Sequence, residues 1–134
     1  MTILFFAKEE GALEVRLKGL LARGVPGEIV EDHRSIAGVA QRFRRPMEPP
    51  EVGVFLTNNH GELRDILSLQ PLLQDIPIVL VVPDREMKTI ALAHRLRPRY
   101  FTDLQGDFGQ LVEVVKRMTR DQALSARRGS NDFS

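Results

Sequence analysis

The chain has 134 residues, 43% hydrophobic and 28% charged, with 19 Lys and Arg against 18 Asp and Glu and no cysteine. That size and balance predict one globular domain with a single core. The missing cysteines exclude disulfides, thiolate metal sites and cysteine nucleophiles, and a net charge of +1 exerts no long-range pull on nucleic acid.

The opening run Met1 to Ala7 is apolar, has no basic stretch before it and meets Lys8, Glu9 and Glu10 at once. It is too short for a signal or membrane segment, so a cytoplasmic chain without membrane contact is expected. Ile3 to Phe6 reads as a first buried strand. Leu13, Leu17, Leu20 and Leu21 then recur at helical spacing until Gly24, Pro26 and Gly27 end the helix. Glu28 to Glu31 offers only Ile29 and Val30 for burial and is placed as a second strand at a sheet edge. His33 falls in a short polar loop. Ser35 is an N-cap for a helix with Ile36, Val39, Ala40 and Phe43 on one face, closed by Pro46, Pro49 and Pro50.

Val52 to Leu56 is the third apolar run, ending in Thr57-Asn58-Asn59-His60-Gly61. A third helix carries Leu63, Ile66 and Leu67, and Pro71 stops or kinks it. Between Pro77 and Pro83 lies Ile78-Val79-Leu80-Val81-Val82, a run that reads as a strand buried on both faces. Asp84 then caps a fourth helix with Met87, Ile90, Ala91 and His94 on one face. Arg99 to Thr102 is a fifth strand. Asp107, with Gln110 three residues on, opens a fifth helix bearing Phe108, Leu111, Val115 and Met118.

Alternation of this kind selects an α/β fold, a doubly wound sandwich of five parallel strands in the order 2-1-3-4-5 with five helices. Residues 1–120 form the domain, and 121–134 form a flexible polar tail or linker. Any site belongs at the carboxyl ends of the strands.

Three stretches, Ile3-Leu4-Phe5-Phe6, Asp75-Ile76-Pro77-Ile78-Val79-Leu80-Val81 and Tyr100-Phe101-Thr102, resemble the receiver (CheY-like) domains of bacterial two-component response regulators. The order and spacing of elements match over roughly residues 1–120. The resemblance implies a flavodoxin/CheY-like fold with an acidic pair after the first strand, for magnesium. It also implies a phosphorylatable aspartate after the third, a hydroxyl after the fourth and a lysine after the fifth. Those places here hold Ala7 and Lys8, Leu56 or Thr57, Val82, and Asp103. Magnesium requires carboxylate oxygens that Ala7 and Lys8 do not have, and phosphoryl transfer requires cations to neutralise developing charge. The pocket is thus read as degenerate, with no catalytic residue, no metal and no cofactor. A Lys8–Asp103 salt bridge is expected to span it.

Asn58, Asn59, His60, Asp84 and Asp103 fall at the same end of the sheet. Turn and cap chemistry is the favoured account of them, with His60 and Asp84 as the ligands of an alternative relocated metal site. Glu9 and Glu10 could supply displaced carboxylates, but water or the next helix's N-terminus is the favoured destination. His94 is expected to pack its ring edge at a helix C-terminus.

Lys88, Arg95, Arg97, Arg99, Glu113 and Arg117 decorate helix 4, strand 5 and helix 5. In the receivers this chain resembles, that face mediates dimerisation or output. The expected partner is therefore a protein or a second copy, and nucleic acid is disfavoured because acids are interleaved and aromatics are scarce. The resulting expectation is a non-phosphorylatable signalling domain acting by protein interaction, as the N-terminal part of a larger regulator. Two alternatives stand beside it: a flavodoxin-like domain binding a small molecule or nucleotide, and a phosphate-accepting receiver with displaced acids.

Overall fold

The computed structural model describes residues 2–45 and 48–131. Its elements are β1 (Thr2–Ala7), α1 (Ala12–Gly24), β2 (Ile29–His33), α2 (Ile36–Phe43), β3 (Val52–Leu56), α3 (His60–Leu67), α4 (Gln70–Leu73), β4 (Ile78–Val82), α5 (Met87–Arg95), β5 (Tyr100–Asp103) and α6 (Phe108–Asn131). All strand pairs are parallel and the sheet order is β2-β1-β3-β4-β5.

Strand side chains alternate between faces, and the core divides accordingly. Ile3, Phe5, Val54, Leu56, Val79 and Val81 pack with Leu17, Leu21, Phe108, Leu111 and Val115 beneath α1 and α6. Leu4, Phe6, Phe55, Leu80 and Val82 pack with Val39, Leu63, Ile66, Leu73 and Ala93 on the other side. Every residue of β4 is buried because this strand is central and covered twice, which accounts for its unbroken aliphatic run. α1 and α6 approach closely at Gly24, where a Cβ would meet Val112 Cγ1 at 2.3 Å.

Ser35 caps α2 by accepting from the Gly38 N–H at 3.0 Å, and Asp107 Oδ1 accepts from the Gln110 N–H at 3.1 Å at the start of α6. α2 ends before Pro46, which lies outside the described residues. The described residues form six helices instead of five, because Pro71 does more than stop α3: at the first turn of α4 its missing N–H costs nothing and its fixed φ suits a new helix. β2 is an edge strand as expected, but it extends through His33, which pairs with Glu31 at 2.6 Å.

α5 is turned differently from its apolar stripe. Met87 is 90% exposed, and Thr89 and Ala93 are the buried residues. Polar bonds from Thr89 fix the rotation, and small Ala93 lets the helix settle onto the α3 side of the core. Its N-cap is Glu86, with Asp84 Oδ1 accepting from the Glu86 N–H at 3.0 Å in the preceding turn. α6 continues to Asn131, past the point where composition places the end of the folded unit. Ala123, Leu124 and Ala126 are strong helix formers, and no proline interrupts them. Residues 132–134 of the expected tail lie outside the described residues.

Candidate functional site

At the carboxyl end of the sheet, Ala7 and Leu56 are partners across β1 and β3, and both are buried. Thr57 follows at no measurable exposure, its hydroxyl donating to Val81 O at 2.7 Å and its N–H to the same oxygen at 3.0 Å. Val82 is buried on β4 beside Asp103 of β5. Lys8 is exposed beyond β1. The places the receiver resemblance assigns to magnesium ligands thus carry a methyl group and an ammonium, and these do not fit the ion.

The expected Lys8–Asp103 salt bridge does not form. Sheet order explains it: β1 and β5 are separated by β3 and β4, three interstrand spacings or roughly 14 Å, which a lysine does not span. Asp103 is instead engaged by Arg85, whose Nε donates to Oδ2 at 2.5 Å, while the Gln105 N–H donates to Oδ1 at 2.8 Å. The Arg85 hydrogen bond first, then the Gln105 amide, holds the Asp103 carboxyl below its ordinary value.

His60 and Asp84 are brought together. Asp84 Oδ1 accepts from the Thr89 hydroxyl at 2.5 Å, and His60 Nε2 lies 2.6 Å from that same hydroxyl oxygen and 3.3 Å from Asp84 Oδ2. Thr89 has one proton and gives it to Asp84, so its oxygen accepts from His60 and the imidazole proton sits on Nε2. The Thr89 hydroxyl, then the Glu86 amide, hold the Asp84 carboxyl below its ordinary value. His60, Asp84 and Glu86 are the one group among the described residues whose ligating atoms all lie within 4.8 Å of one another. As built, it is a closed relay with Nε2 already used as a donor, tying the start of α3 to the β4–α5 loop.

Asn59, expected in a tight turn, caps a helix, whereas Asp84, expected as a cap, is not the N-cap of α5. Asn59 is the N-cap of α3, accepting from the Glu62 N–H at 2.9 Å, and buried Glu62 reaches back to the Asn58 N–H at 3.1 Å. The spacing Asn59-x-x-Glu62 is a capping-box signature that the sequence reading missed.

Arg34 and Glu14 were also missed, having no motif. Arg34 follows β2 and crosses to α1, its Nη2 2.6 Å from buried Glu14 and its Nη1 donating to Ala7 O at 3.3 Å. Glu9 and Glu10 are exposed and border, with Leu56 and Asn58, a shallow cleft of about 200 Å³. Intramolecular pairs therefore occupy the sheet end on both sides of Thr57.

Lys88, Arg95, Arg97, Arg99, Glu113 and Arg117 are all exposed on α5, the α5–β5 connection and α6, which flank edge strand β5. None forms an ion pair among the described residues. His94 meets Phe101 edge-on with centroids 5.7 Å apart, as expected for a ring at a helix end. No helix among the described residues is long and apolar enough to cross a membrane.

No protein-family profile and no curated protein sequence matches the chain. Solved structures do. A response regulator receiver domain protein (CheY-like) from Methanospirillum hungatei aligns at 13% identity and TM-score 0.70, covering 92% of this chain and 97% of its own. A putative pilus assembly-related protein from Burkholderia pseudomallei aligns at 22% identity and TM-score 0.62, covering 88% of each chain. A putative pilus assembly protein from Burkholderia thailandensis aligns at 21% and TM-score 0.62, covering 90% of this chain and 98% of its own. In strand order, strand direction and helical cover, this chain has the receiver-like, flavodoxin/CheY-like fold.

Proposed function

We propose that this chain is a receiver-like signalling module that acts through protein contact and does not accept a phosphoryl group. The observation that carries the reading is the Arg85–Asp103 pair: a carboxylate stands at the end of β5, where the resemblance calls for a lysine, and a neighbouring arginine neutralises it. Phosphoryl transfer depends on fixed cations around the transferred group. Ala7 and Lys8 supply no metal-ligand pair, Asp103 puts a carboxylate where a cation is called for at the end of β5, and Thr57 spends its hydroxyl on Val81. The β4–α5 loop is held instead by Arg85 to Asp103 and by Thr89 to His60 and Asp84.

The proposed working surface is the edge at β5 with α5 and α6, where Lys88, Arg95 and Arg117, without an ion pair among the described residues, are exposed together with Glu113 and Met87. Arginine forks there suit carboxylates of a partner or of a second copy. Incubation with acetyl phosphate and Mg²⁺, read by intact mass, tests the first half; a stable phosphoryl adduct would defeat it. Sedimentation of the chain and of Arg117→Glu tests the second, with self-association expected and weakened by the reversal.

One further observation favours a specific setting. The two pilus-assembly neighbours share 22% and 21% identity with this chain, against 13% for the Methanospirillum receiver. On that ground the module is proposed to serve a pilus-assembly apparatus. Deletion of its gene in the source organism should reduce surface pili, and unchanged piliation would count against it.

A further inference from the structure

We propose that the cleft at the amino ends of β4 and β5 binds a small anion, a phosphate or carboxylate borne on an apolar body. This end of the sheet is opposite the receiver-like pocket, and the cleft lies within one chain, so the inference needs no protein partner, although Arg97 and Arg99 also border the proposed interaction edge. It measures about 440 Å³, the size of ordinary small-molecule sites. Buried Leu73, Ile78 and Leu96 give it apolar walls. Arg97 and Arg99 supply the charge.

Neither guanidinium has a hydrogen-bond or ion-pair acceptor among the described residues, although both backbones are fixed. The Arg99 N–H donates to Ile78 O at 2.8 Å, and the Arg97 N–H donates to His94 O at 3.1 Å. The Arg95 and Ala93 carbonyls at the end of α5 are satisfied too, since Gln70 Nε2 donates to Arg95 O at 2.8 Å and the Leu96 N–H to Ala93 O at 3.1 Å. The arginine side chains are therefore not consumed in capping the helix. Arg97 also has a φ of 52°, at the position after a helix where glycine is customary. A backbone conformation unfavourable to arginine is retained where its side chain lines a cleft, which is how strain is distributed at binding sites. Two forked donors on fixed backbone, with no acceptor of their own among the described residues, suit the paired oxygens of phosphate or carboxylate.

Asp75 lines the same cleft and selects against a bare anion. Its carboxylate repels a small dianion but accepts from a hydroxyl or amino group on a larger body. The favoured occupant is thus amphipathic and carries a donor as well as the anion, as a nucleoside monophosphate does.

The test is calorimetric titration of the full chain with adenosine 5′-monophosphate, salicylate and inorganic phosphate, with amide chemical shifts to locate binding. Saturable binding of either organic anion, with shifts centred on residues 70–78 and 96–99, is expected, and inorganic phosphate should bind at least tenfold more weakly. Arg97→Gly and Arg99→Gln should each weaken binding about tenfold. Arg97→Gly should meanwhile melt no lower than wild type, because glycine suits that backbone. The proposal is overturned by no binding of either organic anion, by inorganic phosphate binding equally well, or by affinity unchanged in both variants.

Discussion

Arg85 Nε donates to Asp103 Oδ2 at 2.5 Å, joining the β4–α5 loop to the carboxyl end of β5. The arginine side chain is 59% exposed, so solvent screens the pair and its contribution stays within the range for surface bridges, at most about 1 kcal/mol. Because the folded state holds Asp103 below its ordinary value, the contribution is present above the unfolded aspartate range and is lost as pH falls through the folded value. Asp103→Asn should therefore be less stable than wild type at pH 7 by up to about 1 kcal/mol. Urea melts at a series of pH values should show the gap closing in acid and shrinking in high salt.

Thr89 has no measurable exposure and serves His60 and Asp84 together. Thr89→Val keeps the shape and removes both bonds. A loss of about 1 kcal/mol is expected, with faster amide exchange over residues 84–89 as the loop loses its tie to α3. Unchanged exchange there would mean that backbone packing alone fixes the loop.

The fold is legible in the sequence because burial writes itself into hydropathy. The run from Ile78 to Val82 announces a central strand, and Leu17 and Leu21 announce the inner face of α1. The site is less legible, for two physical reasons. Its pairs join residues far apart in the chain, as Arg34 to Glu14 and Arg85 to Asp103 do, and no local period encodes them. Polar bonds can also override a hydrophobic stripe: Thr89 turns α5 so that Met87 faces water. His60 and Asp84 could be placed at the right end of the sheet from sequence, but the threonine between them could not.

Glu51 shows the opposite pH behaviour from Asp103. Burial first, then the nearby Glu28 charge, pushes its carboxyl above the ordinary value, and its Oε2 is buried without a partner among the described residues. The native state binds that proton more tightly than the unfolded chain, so stability is full at low pH and falls as pH rises through the folded value. Glu51→Gln should match wild type in acid and become progressively the more stable toward neutrality. Thermal melts between pH 4 and pH 8 should therefore diverge upward for the variant; parallel curves would show that the carboxylate is solvated at no cost.

Thr57 provides the sharpest test of whether a carboxylate placed after β3 would accept a phosphoryl group. Its hydroxyl and its N–H both donate to Val81 O, from a position with no exposure. An ionised carboxylate in that place has no proton to give and would face the carbonyl oxygen directly, which adds repulsion to the loss of hydration. Thr57→Asp should therefore lower stability at pH 7 by about 3 kcal/mol or more, and by less in acid, where the new carboxyl is protonated and can donate. Thr57→Val removes the hydroxyl without adding charge and should cost only about 1 kcal/mol, so the excess cost of Thr57→Asp reports the burial of the carboxylate. With a methyl group and an ammonium at Ala7 and Lys8, the acidic pair that the resemblance calls for is missing from the end of β1, and intact mass after acetyl phosphate treatment should show no adduct on Thr57→Asp. An adduct on that variant would mean that the rest of the pocket has kept its chemistry and that Thr57 alone blocks it.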